Sequence, residues 1–133
     1  MTTMAVCDVL VVGGSGRVGG STLRWLDHLS SRGNGGLAPL KLASGGRSIN
    51  RFHTTKRRLK LPDLAFVEID LGRSLEQLTA AVRGTKLVVH TAGPFQGRTQ
   101  PKLLQACIAA GVGYCDVCLL YTSDAADDEE RVD

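Results

Sequence analysis

Four aliphatic residues, Val9, Leu10, Val11 and Val12, run straight into Gly13-Gly14-Ser15-Gly16-Arg17-Val18-Gly19, and this junction restricts the fold more than any other stretch. A short apolar, β-branched run without polar alternation is the pattern of a strand buried on both faces of a parallel sheet. From Gly16 the period changes: Val18, Thr22, Trp25, Leu26 and Leu29 fall three or four apart, a helical stripe ended by Gly33, Gly35 and Gly36. Strand, glycine turn and helix in immediate succession open a βαβ unit.

The rest of the chain continues the alternation. Leu37 to Ala43 predicts a second strand, and the basic segment from Arg47 to Lys60 a loop plus a short helix. Phe66 to Ile69 reads as a third strand. Ser74 with Gln77 three residues later matches a capping box for a helix with apolar positions Leu75, Leu78 and Val82, closed by Gly84. Leu87 to Val89 is the fourth strand. Thr99 to Ala110 is a helix with Pro101 in its first turn and Gly111 just past its end, and Tyr114 to Val117 the fifth strand. Right-handed crossovers turn this order into an α/β fold: a Rossmann-type, doubly wound parallel sheet of about five strands with helices on both faces. A length of 133 residues, with 43% hydrophobic residues, fits one packed domain or a piece of one.

Charge is distributed unevenly. Residues 1–117 carry 15 bases against 7 acids, whereas 118–133 carry six acids and one base. The basic body favours an anionic partner, either a phosphate-bearing small molecule or nucleic acid. No apolar run approaches the ~20 residues that cross a bilayer, and no basic region leads into an apolar stretch at the N-terminus. The four cysteines, Cys7, Cys107, Cys115 and Cys118, lie in apolar surroundings, which suits reduced thiols and an intracellular, cytoplasmic setting.

Gly14-Ser15-Gly16-Arg17-Val18-Gly19 is a G-x-G-x-x-G in the context that gives each glycine a mechanical role, whether a tight turn, close approach to a pyrophosphate, or helix-on-strand packing. The helix N-terminus there offers free amides and a partial positive charge of ~0.5. Which dinucleotide is bound depends on the end of strand two. An NAD site places Asp or Glu there for the ribose hydroxyls, yet no carboxylate occurs from His28 through Pro62. Gly45-Gly46-Arg47-Ser48 occupies the position, with Arg51 behind it, and a guanidinium fork beside a hydroxyl suits the additional 2′-phosphate of NADP. NADP is therefore the expected cofactor. Lys56, Arg57, Arg58 and Lys60 read as solvated cations; contact with RNA is the weaker reading, because no aromatic residues interleave with them.

Ligands of such sheets bind beyond the carboxyl ends of the strands, which singles out two further places. Asp70 ends strand three, where it can accept from the adenine amine or simply cap the strand end. Thr91-Ala92-Gly93-Pro94-Phe95 ends strand four, with small residues that let the backbone pass close to a cofactor. His90 reads as a packed, hydrogen-bonded residue, without a catalytic role. Cys115-Asp116-Val117-Cys118 is one C-x-x-C pair, half of a structural zinc site, so no metal is expected.

On these motifs the chain resembles the N-terminal NADP-binding domain of saccharopine dehydrogenase-like oxidoreductases, over roughly 8–117. The matching stretches are Val9 to Gly19, Gly45-Gly46-Arg47, the Asp70 strand end, Leu87 to Phe95 and Leu103 to Val117. The resemblance implies that Gly14 to Gly19 hold the pyrophosphate, Arg47 the 2′-phosphate, and Ala92 to Pro94 the nicotinamide side. It also implies a large second domain in the intact protein that binds the substrate, an amino acid adduct or another carbonyl compound. Accordingly, 1–117 is expected to be a partial NADP-binding Rossmann domain, inactive alone. Residues 118–133 read as a non-native acidic tail that looks like translated sequencing adaptor. NADP(H) is the expected partner, with no nucleic acid and room for a homo-oligomer. A non-catalytic NADPH-responsive binding module is the alternative to an oxidoreductase half.

Overall fold

The structure, a computed structural model, describes residues 7–31, 39–92 and 101–117. Nine elements alternate along these residues: β1 (Cys7–Val12), α1 (Arg17–Ser31), β2 (Leu42–Gly46), α2 (Ile49–Leu59), β3 (Ala65–Glu68), α3 (Leu75–Val82), β4 (Thr85–His90), α4 (Lys102–Ala110) and β5 (Gly113–Asp116). All strand pairs are parallel, in the order β3-β2-β1-β4-β5. The doubly wound sheet expected from the alternation is the fold found.

β1 lies at the centre because it can be buried on both sides. Leu10 and Val88 face α3 and α4 in one core with Leu78, Val82, Leu103, Ala106 and Cys107, while Val9 and Val11 pack with Leu23 of α1 and Phe52 of α2 in the other. Strand order reverses at β1: the chain first builds outward through β2 and β3, then returns to add β4 on the opposite side. The carboxyl ends of β1 and β4 therefore flank a crevice.

Three local expectations shift. β2 begins at Leu42 rather than Leu37, and runs through Ser44, Gly45 and Gly46. Those residues have low strand propensity but fit a crowded position: a Cβ on Gly45 would lie 3.1 Å from Ile69 and 3.3 Å from Leu10. The basic segment forms an 11-residue helix, started by Ser48, whose hydroxyl accepts from the Arg51 amide, and stopped by Lys60 in the left-handed conformation. Its buried side is only Phe52 and Thr55, too sparse a stripe to announce a helix in sequence.

On α1 the inward residue is Leu23, fully buried, with Leu26 packed against the same core. Val18, Trp25 and Leu29 are about half exposed instead, on one flank of the helix. The capping box of α3 forms as expected, the Ser74 amide donating to Gln77 Oε1 at 3.1 Å and the Gln77 amide to Ser74 Oγ at 3.2 Å; Leu78 and Val82 are buried and Leu75 is exposed.

Candidate functional site

β1 delivers the chain into the glycine turn at Gly13, whose φ of 87° lies in the region closed to most side chains. Its amide donates to the Gly45 carbonyl at 2.8 Å, and its carbonyl accepts from the Gly16 amide at 2.9 Å, which closes the turn. Gly20 is the first amide to bond within α1, to Gly16 O at 2.8 Å. The amides of Arg17, Val18 and Gly19 precede it at the helix end, where a helix supplies donors and positive potential to an anion.

Close packing explains the spacing of the glycines. A Cβ on Gly19 would overlap the Gly13 carbonyl and stand 2.7 Å from Thr91 Oγ1; a Cβ on Gly13 would stand 2.8 Å from the Ala92 amide nitrogen. The turn is thus pressed between the first turn of α1 and the end of β4. Gly14 packs downward, toward Ser44 of β2 and Leu23. Gly13, which lies outside the G-x-G-x-x-G pattern, makes the turn, and a spacing of three from Gly13 to Gly16 to Gly19 is the signal for it in the sequence. Ser15 completes the loop, and Arg17 and Val18, both exposed, begin α1.

At the next strand end, β2 stops at Gly46 and the chain passes through Arg47 and Ser48 into α2. Ser48 Oγ accepts from the Arg51 amide at 3.2 Å; the hydroxyl proton stays available to a ligand. Arg47 and Arg51 are exposed beside this helix start. Lys56, Arg57 and Arg58 lie in the last turn of α2 and Lys60 just beyond it, roughly 15 Å along the axis, where cations complement the helix dipole.

Asp70, after β3, accepts from the Gly72 amide at 2.9 Å and lies 3.9 Å from Arg73 Nε. That is the strand-end cap its position allowed, and its side chain remains part exposed. Glu68, the last residue of β3, pairs with Arg73 at 3.5 Å. At the end of β4, the Thr91 amide and hydroxyl both donate to Val12 O at 2.8 Å. The Ala92 amide donates to His90 Nδ1 at 3.3 Å, and His90 is buried, as its sequence context predicts. Gly93 and Pro94 lie outside the described residues.

The topology brings the ends of β3, β2, β1 and β4 side by side, so that Asp70, Arg47, the glycine turn and Ala92 form a row along one edge, about 14 Å wide at three strand spacings. Burial raises the Cys7 thiol above its ordinary value and pushes that of Cys107 up to about 11. Cys115 is exposed, while Cys118 lies outside the described residues. Among the described residues, no group of three His, Cys, Asp or Glu side chains could hold a metal ion.

The sequence matches the model of the saccharopine dehydrogenase NADP binding domain over residues 9–132. The chain belongs to that family. It is accordingly an NADP-binding domain of Rossmann type, as the glycine turn and the carboxylate-free end of β2 lead one to expect. Solved structures give the same fold at low identity. Vestitone reductase from alfalfa is 22% identical with a TM-score of 0.58, the match covering 83% of this chain and 35% of that one. An NADPH-dependent quinone oxidoreductase from Escherichia coli, solved with NADPH, is 18% identical with a TM-score of 0.56, covering 78% and 34%. This chain therefore spans about a third of the length of these structures. No curated protein matches the sequence.

Proposed function

We propose that the row of strand ends is the NADP(H) site, with each part of the row holding one part of the cofactor. The diphosphate lies over Gly14, Ser15, Gly16, Arg17, Val18 and Gly19, receiving the amides at the start of α1. Arg47 and the Ser48 hydroxyl take the 2′-phosphate, with the positive end of α2 behind them. Asp70 borders the adenine, and Ala92, Gly93 and Pro94 line the nicotinamide side. Support for the fit comes from the crowded glycines, since without side chains at Gly13 and Gly19 the turn can pack against the end of β4 and bring the start of α1 to the crevice.

The observation that carries the choice of NADP over NAD is the passage Gly46-Arg47-Ser48, which leads from β2 into α2 with a cation and a hydroxyl where a ribose-binding carboxylate would stand. Bound NADPH supplies a hydride, and the protein orients it. We take 1–117 as the nucleotide-binding unit, because the glycine turn, the Arg47–Ser48 passage and the end of β4 all fall within it. The full-length protein is an NADP-dependent oxidoreductase of cytoplasmic location, with substrate held by its second domain. Residues 118–133 lie outside the described residues.

Titration of the chain with NADPH and NADH tests this reading. NADPH should bind at least tenfold tighter, and Arg47→Glu should remove that margin while changing NADH affinity little. Equal affinities in the native chain would contradict it.

A further inference from the structure

His90 sits where it can set the geometry of the crevice without touching a cofactor. It is the last residue of β4, buried at 7% exposure, and its Nδ1 accepts from the Ala92 amide at 3.3 Å. That amide nitrogen is also the atom 2.8 Å from the place a Cβ on Gly13 would take, so it borders the glycine turn directly. The peptide that the imidazole holds is therefore part of the wall against which the turn is packed.

An acceptor at Nδ1 requires the neutral ring with its proton on Nε2. In the imidazolium both nitrogens donate, and Nδ1–H would then face the Ala92 N–H, donor against donor. Among the described residues, titratable groups on the neighbouring elements can be named. Tyr114 of β5 stands with its ring 6.4 Å away and its hydroxyl donating to Asp116 Oδ2 at 2.7 Å, and Asp116 is the register partner of His90. From α4, which packs on the same side of the sheet, the titratable groups are Cys107, buried, and Lys102, whose Nζ donates to Arg73 O at 2.7 Å. β1 brings Cys7 and Asp8 only at its far end. Tyr114 meets the ring edge-on, and the Ala92 amide has Nδ1 as its acceptor.

We propose that neutral His90 is a positioning residue for cofactor binding, fixing the Ala92 peptide against the glycine turn, and that its protonation weakens NADP binding. This rests on the cofactor site proposed above.

The test compares the full chain with His90→Asn, whose Oδ1 can occupy the place of Nδ1 and does not titrate, and with His90→Leu, which has no acceptor. Affinity for oxidised NADP is measured at about pH 8 and at a pH below the midpoint of the His90 ring, as NMR of the native chain gives it. The 2′-phosphate itself titrates near pH ~6, so each variant is read as its ratio to the native chain, in which that shared effect cancels. At about pH 8 the Asn variant should match the native chain and the Leu variant bind about fivefold more weakly, the range of one net hydrogen bond. Below that midpoint the native chain should lose a further fivefold or so relative to the Asn variant.

Should either variant fail to fold, NMR of the native chain without cofactor decides: the Ala92 amide resonance should move with the titration of the His90 ring. Superimposable pH profiles of native and Asn chains, or an Ala92 amide indifferent to that titration, overturn the inference while leaving the cofactor site standing. No binding of NADP by the native chain at the higher pH overturns both.

Discussion

Thr91 grips the carbonyl of Val12 twice, through its amide and through its hydroxyl, each at 2.8 Å. The ends of β4 and β1 are thereby fixed at the point where the strand order reverses, and Oγ1 of the same threonine stands over Gly19 at the start of α1. One side chain thus sets the width of the crevice between two strands and a helix. The hydroxyl, unlike the amide, can be removed by substitution.

Thr91→Val keeps the shape of the side chain and loses the hydroxyl donor. Chemical denaturation should show a loss of about 1 kcal/mol, the net worth of one hydrogen bond, together with weaker NADP binding. Unchanged stability would mean that the amide bond alone holds the strands.

Gly19→Ala should destabilise the chain and Gly46→Ala should not. The first forces a methyl into the Gly13 carbonyl, backbone that cannot swing aside, at a cost of about 2–3 kcal/mol. A Cβ on Gly46 meets nothing within 4 Å, so urea midpoints should differ little from the native chain.

Acid should act through Asp8. Its carboxylate accepts from the Lys41 amide at 2.8 Å, the main reason its pKa is lowered from 3.8, and Lys86 Nζ adds an ion pair at 3.2 Å. With the folded value below the unfolded one, this stabilisation is complete above about pH 4 and disappears as pH falls through the depressed value. Circular dichroism melts should show native stability dropping in that acid range, and Asp8→Asn should be less stable at neutral pH with a shallower acid loss.

Thiol accessibility should separate the described cysteines. Cys115 is exposed and should react first with a maleimide, whereas Cys7 and Cys107 are buried, with raised pKa values, and should react only on unfolding. Rapid labelling of Cys107 in the native chain would contradict the packing of α4.

Much of this architecture is legible in the residues because local signals agree with the fold: the apolar run of β1, the glycines after it, the capping box at Ser74 and Gln77. Sequence signals mislead where packing overrides propensity. Ser44, Gly45 and Gly46 make a poor strand on their own, yet β2 needs small residues beneath Ile69 and beside Leu10. On α1, hydrophobic periodicity points to Trp25 and Leu29, but a helix laid on this sheet turns Leu23 inward, and apolar residues also occur on exposed flanks. Gly13 escapes notice because the overlapping G-x-G-x-x-G from Gly14 already satisfies the expected spacing. Its role emerges only once Ala92 is brought over it.

Placement of the cofactor itself is the most direct test. A crystal structure of the chain with NADP should show the diphosphate on the amides of Arg17 to Gly19, and the 2′-phosphate between the Arg47 guanidinium and Ser48. A nucleotide bound anywhere else, or a 2′-phosphate left in solvent away from Arg47, would contradict the account.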